Sequence, residues 1–189
     1  MRSFLALPLP PRVTGALAAL VAALPFGRPV PQENLHLTLA FLGELPEAQV
    51  IAAHEAIANL RAAPLQVELR GLALFGGRHP ASLHVVLAEP APVVELHRRA
   101  LARLHGAGVM PARARFTPHV TLARFRPRMP PGDAAHLARF LAQHAGFGLG
   151  PFAVARMVLY RSTLGAGPPV YDELARYTLG GGDVSGNPG

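Results

Sequence analysis

His36-Leu37-Thr38-Leu39-Ala40 and His119-Val120-Thr121-Leu122-Ala123 are near-copies of one pentapeptide, differing only at the second residue. A shuffled chain of this composition would hold roughly 0.3 of any H-x-T triplet, so two copies followed by the same Leu-Ala are not accidental. Side chains alternate along a strand, which puts the His and Thr of each copy on one face and the aliphatic residues on the other. Each copy therefore offers an imidazole beside a hydroxyl. Two such strands facing each other would make a symmetric acid–base site.

The flanking sequence repeats a strand–helix rhythm around each copy. Ser3–Leu9 reads as a buried strand, ended by Pro10 and Pro11, with a helix running from Pro11 to about Leu24. Asn34–Leu42 is the first motif strand. Gly43-Glu44-Leu45-Pro46 is a turn into a helix over Glu47–Arg61, whose Val50, Ile51, Ile57 and Leu60 are spaced for one face. Leu65–Leu74 and Ser82–Leu87 read as strands joined by the turn Phe75–Pro80, and Pro92 opens a helix to about His105, stopped by Gly106 and Gly108. Phe116–Phe125 is the second motif strand. A helix to about Ala145 follows, with Asp133 as its expected N-cap, then strands at Val154–Arg161 and Tyr171–Leu179. This order predicts an α+β fold with largely antiparallel sheets and outer helices. Residues 1–179 read as one domain, and residues 180–189, rich in Gly and without apolar periodicity, as a flexible tail.

Composition narrows the chemistry. Half the 189 residues are hydrophobic, enough for a packed core, and the formal net charge is +7. Every basic residue is Arg, because the chain contains no Lys. The positive surplus favours an anionic partner, and guanidinium suits phosphate. Without Lys there is no lysyl-nucleotide intermediate, Schiff base or P-loop lysine; without Cys there is no thiol nucleophile, disulfide or thiolate metal site. The apolar run Gly15–Leu24 is shorter than the roughly 20 residues that span a bilayer, and the strand-like Arg2–Leu9 precedes it. The expectation is a cytoplasmic protein.

Two imidazoles can divide one reaction, one taking a proton from water and the other giving one to a leaving oxygen. Thr38 and Thr121, beside them, can donate hydroxyl hydrogen bonds to a phosphoryl oxygen. Such a site needs no metal. A metal centre is the competing use of paired His, but H-x-T supplies one ligand per strand and no carboxylate lies in either motif strand. The plainest alternative is that both His are satisfied polar residues on half-exposed strand faces. His54, His97, His105, His136 and His144 fall on helices or their ends and are expected to face solvent. His84 alternates along its strand and can approach the site. Arg113, Arg115, Arg124, Arg126 and Arg128 surround the second motif. Strict alternation puts Arg124 on the face opposite His119, so it reaches the site only if the strand bends or ends after Ala123, as Arg126-Pro127 would allow. Phe41 holds the same place after the first motif, where it could stack a base or pack in the core.

Together these residues resemble the two-histidine phosphoesterases, in particular the bacterial and archaeal RNA 2′,3′-cyclic phosphodiesterases, also called LigT-like or 2′-5′ RNA ligases. The similarity covers Arg2–Leu7, Asn34–Gly43, Phe116–Arg124 and Leu159–Ser162, and so spans almost the whole chain. The resemblance implies a bilobal fold with two mainly antiparallel sheets, pseudo-two-fold symmetric about a central cleft. It implies metal-independent and cofactor-free opening of a cyclic phosphate at an RNA end, leaving a 2′-phosphomonoester, by a protein expected to be monomeric. Carried over by position, His36 is the proton donor, His119 the acceptor that activates water, Thr38 and Thr121 the phosphoryl contacts, and Arg124 a substrate contact. The same chemistry run backwards would join the cyclic end to a 5′-hydroxyl without ATP. His84 departs from relatives, which often carry an aromatic residue such as Trp there. Two other readings stay open: an RNA-binding module without turnover, and a phosphodiesterase for a small cyclic nucleotide.

Overall fold

The computed structural model describes residues 1–24, 26–77, 79–111 and 115–180. The expected tail from residue 181 onward and Arg113 lie outside the described residues. Among those described, nine strands are found: β1 (Arg2–Pro8), β2 (Arg28–Pro29), β3 (His36–Glu44), β4 (Leu65–Phe75), β5 (Ser82–Leu87), β6 (His119–Arg124), β7 (Gly148–Val154), β8 (Arg156–Thr163) and β9 (Val170–Thr178). Four α-helices accompany them: α1 (Pro11–Ala22), α2 (Glu47–Ala58), α3 (Ala91–Gly106) and α4 (Pro131–Gln143). Proline sets the helix starts. Pro10, Pro46, Pro90 and Pro130 occupy the N-cap positions, and no side-chain cap is formed at any of them among the described residues. Asp133 is therefore not the N-cap of α4; the helix opens three residues earlier because Pro131 fits a first turn, and Asp133 lies within that turn. At the other end of α3, Gly108 adopts φ +74 and the Val109 N–H returns to the Leu104 carbonyl, which ends the helix where a left-handed residue is needed.

All strand pairs are antiparallel, in the order β7-β4-β5-β6-β3-β1-β8-β9, with β2 added on β6. The order is a palindrome of roles: β6 matches β3, β5 matches β1, and β4 matches β8. The two expected sheets are thus two halves of one ladder, joined at the centre by a single residue pair, Leu37 with Val120. Both of those side chains are fully buried, and replacing Leu37 with Ala would cost about 2–5 kcal/mol. The helices pack across the halves: α3 lies against β3 and α2, and α1 against β6.

The repeat extends to an irregularity. β1 pairs Leu5 with Ala40 and Ala6 with Thr38, leaving Leu39 as an extra residue in β3. β5 pairs Leu83 with Ala123 and His84 with Thr121, leaving Leu122 extra in β6. Both motif strands accordingly bury two successive residues, Leu39-Ala40 and Leu122-Ala123, where strict alternation would expose the second. The side chains after each bulge return to the face they would otherwise have left.

Candidate active site

Because Leu37 lies opposite Val120 in an antiparallel pair, His36 falls across from Thr121 and Thr38 across from His119. The buried pair points one way, so the four polar side chains point the other. Two imidazoles and two hydroxyls therefore sit at alternating corners of one small square. All four are half-buried.

Each imidazole is held by the backbone two residues before it. His36 Nδ1 donates to the Asn34 carbonyl at 2.8 Å, and His119 Nδ1 to the Thr117 carbonyl at 2.7 Å. A proton fixed on Nδ1 leaves Nε2 free as a base in the neutral ring. His36 Nε2 is 3.0 Å from Thr38 Oγ1. Asn34 is itself anchored, its Nδ2 donating to the Pro169 carbonyl at 2.8 Å, so the turn between β8 and β9 steadies the first histidine. Phe4 and Tyr171 pack on the His36 ring at 5.0 and 5.5 Å.

Burial is the main cause that lowers the His36 pKa to about 4, aided by the charge of Arg124 and by His119, against the Asn34 hydrogen bond. Burial also lowers His119, with Arg124 adding to it and the Thr117 carbonyl opposing. Both rings are thus neutral at pH 7, and the charge of a bound phosphodiester would favour protonation. The bulge at Leu122 returns Arg124 to the face of His119 and Thr121, and its charge acts to lower the pKa of His36, His84, His119 and Tyr171. The strand does bend, at Leu122 and not at the Arg126-Pro127 step beyond it. Phe41 reaches the corresponding place on β3 by the matching bulge, packs 6.1 Å from Phe4 and is 60% exposed.

His84 enters the site more closely than alternation alone could decide. It pairs with Thr121 across β5 and β6, is 3% exposed, and meets His119 edge-to-face at 4.4 Å. Its Nε2 is hydrogen-bonded to Ser82 Oγ at 2.7 Å, and its Nδ1 is buried without a partner among the described residues. Burial, then His119 and Arg124, lower its pKa to about 3. His97 corrects another expectation. It does not simply face solvent: it is half-buried, donates from Nδ1 to the Leu39 carbonyl at 2.7 Å and stacks on Phe116 at 3.8 Å. The signal available in the sequence was its place beside Leu96 in the buried series Val93, Leu96, Ala100, Leu104. Among the described residues no group of three or more His, Asp or Glu is placed to hold a metal ion, and no helix is long and apolar enough to cross a membrane.

A two-lobed antiparallel fold carrying one His-x-Thr strand in each half defines a phosphoesterase of the two-histidine class. The chain belongs to the LigT-like phosphoesterase family, whose model matches residues 7–83 and 87–171. It is 31% identical over 163 residues to the RNA 2′,3′-cyclic phosphodiesterase of Aquifex aeolicus, covering 82% of this chain and 83% of that one. It is 35% identical over 201 residues to the protein of the same name from Thermus thermophilus, covering 96% and 91%. Among solved structures, E. coli LigT complexed with 3′-AMP superposes with a TM-score of 0.74 at 25% identity, covering 95% of this chain and 98% of that one.

Proposed function

We propose that this chain hydrolyses RNA 2′,3′-cyclic phosphate ends to 2′-phosphomonoesters, with His36 and His119 as a metal-independent acid–base pair. The observation that carries the reading is the crossed square of His36, Thr38, His119 and Thr121 about the Leu37–Val120 pair. In this mechanism His119 Nε2 takes a proton from water as the water oxygen bonds to phosphorus. The bond from phosphorus to the ribose 3′-oxygen breaks, and His36 Nε2 delivers a proton to that oxygen. The substrate's negative charge opposes the depression that burial imposes on His36 and so loads the donor. Thr38 and Thr121 donate to the non-bridging oxygens and Arg124 stabilises the charge that builds on them. Phe41 offers its exposed face to the terminal base.

Replacing water by a 5′-hydroxyl would use the same groups to join two RNA ends through a 2′-5′ bond without ATP. In this reading the working unit is one bilobal domain over residues 1–179, acting as a cytoplasmic monomer without a cofactor. The test is hydrolysis of a short RNA ending in a 2′,3′-cyclic phosphate, in excess chelator, with 2′- and 3′-phosphate products resolved. Conversion to the 2′-phosphate alone supports the mechanism, and RNA that is bound but not converted would refute it.

A further inference from the structure

Resting on the phosphodiesterase reading for its anchor point, we propose that the groove between β3, α3 and residues 115–117 binds the second nucleotide from the RNA end. The preferred substrate is then an RNA chain and not a mononucleoside cyclic phosphate. The internal repeat breaks at the place where this groove lies. β3 and β6 share one residue pair and diverge on either side of it. At one fork β2 closes the gap, pairing Arg28 with Arg124 and Pro29 with Ala123, while Val30 N donates to the Leu122 carbonyl at 2.8 Å. Gly27 permits that approach: it adopts φ +88, and a Cβ there would stand 3.0 Å from the Phe125 ring. At the other fork, among the described residues, no strand pairs with Leu39–Phe41 on the edge away from β1. The Leu39 carbonyl, which matches that of Leu122, is instead served by His97 from α3.

The fork left open is a groove of about 600 Å³ whose lining includes Thr38 and His119. It reaches His105, two helical turns beyond His97, or about 12 Å along α3 at 1.5 Å per residue. A space that begins at the phosphate contacts and runs so far exceeds one stacked base. Its lining includes Arg115, His97 and His105 and no carboxylate among the described residues. The cavity on the His36 side, of about 460 Å³, includes Glu33. Phe116 adds an aromatic wall. Single-stranded RNA is held by just such a pairing of aromatic faces with cationic side chains. With the terminal base on Phe41, the next nucleotide lies along α3 and the phosphate between the two meets Arg115.

Titration calorimetry of the full chain with unreactive 2′-phosphate ends, one and two nucleotides long, reads this directly. The dinucleotide is expected to bind roughly tenfold or more tightly than the mononucleotide. Arg115→Ala and Leu101→Trp should each remove most of that gain, and Arg115→Lys should keep part of it. Arg115 is exposed, so its variants test the groove without disturbing the core. Equal affinity for both lengths, or a gain that survives Arg115→Ala and Leu101→Trp, would overturn the proposal. Hydrolysis of the matching cyclic ends separates the two readings. Length-dependent binding without hydrolysis keeps the groove and removes the phosphodiesterase reading. Hydrolysis without length dependence removes the groove alone.

Discussion

His84 stands edge-on to His119 with their ring centroids 4.4 Å apart, and Phe75 packs against both rings at 4.1 and 4.8 Å. A third imidazole is thereby sealed beneath the second motif. In the unfolded chain His84 takes up a proton near pH 6.5, whereas in the fold burial delays it to about pH 3. Between those values the unfolded state binds more protons, so stability falls as pH falls. His36, at about 4, acts with the same sign. The melting temperature is expected to drop between pH 7 and pH 4, and His84→Phe to shrink that drop. Equal pH slopes in the two proteins would count against a buried neutral His84.

The same depressions shape the rate profile. In the proposed mechanism turnover needs one proton on the pair, but burial holds both His36 and His119 below their ordinary value. The singly protonated form is therefore most abundant below pH 6.5. A bell-shaped kcat/KM profile with its maximum on the acid side of about 6.5 is expected, its two limbs belonging to the pair as a unit. The kcat profile should extend to higher pH, because bound phosphate favours the proton. A kcat/KM optimum above about pH 7.5 would contradict this.

His36→Ala and His119→Ala should each lower hydrolysis of the cyclic end by at least about 10²-fold, the ordinary cost of losing a general acid or base. The double variant should be little worse than either, since the two act as a unit. Initial rates in excess chelator decide both points, and the unaltered protein should keep full activity there. Loss of that activity, restored by a divalent ion, would instead indicate a metal centre.

Arg124→Ala separates charge from packing, because the side chain is exposed. Losing a charged hydrogen-bond donor to phosphate should lower kcat/KM roughly 10- to 100-fold. Its positive charge helps to lower both histidines, so removing it raises them and moves the kcat/KM optimum to higher pH. Arg124→Ala with an unmoved optimum would mean that the guanidinium does not face the pair.

The motif strands, the proline starts of α1 and α2 and the doubled architecture were legible because each rests on local rules: period-two alternation, fixed proline φ and a repeated pentapeptide. The parity of Arg124 and Phe41 was not. It depends on the bulges at Leu39 and Leu122, which arise from pairing with β1 and β5 and leave no mark in the motif itself. β7 was missed because Gly148-Leu149-Gly150-Pro151 reads as a loop; only pairing with β4 makes it a strand. β2, two residues long, gains its meaning solely from β6. His84 and Asn34 joined the site for a similar reason, since His119 beside the one and Pro169 bonded to the other are distant in the chain and brought near only by the fold.

Leu37 and Val120 also have a mechanical consequence. Each half-sheet carries long ladders of its own, while one pair of residues bridges them. The two imidazoles stand on opposite sides of that bridge. Their spacing is thus set at a joint between two half-sheets, one residue pair wide in the ladder and backed by β2 and α1 against β6.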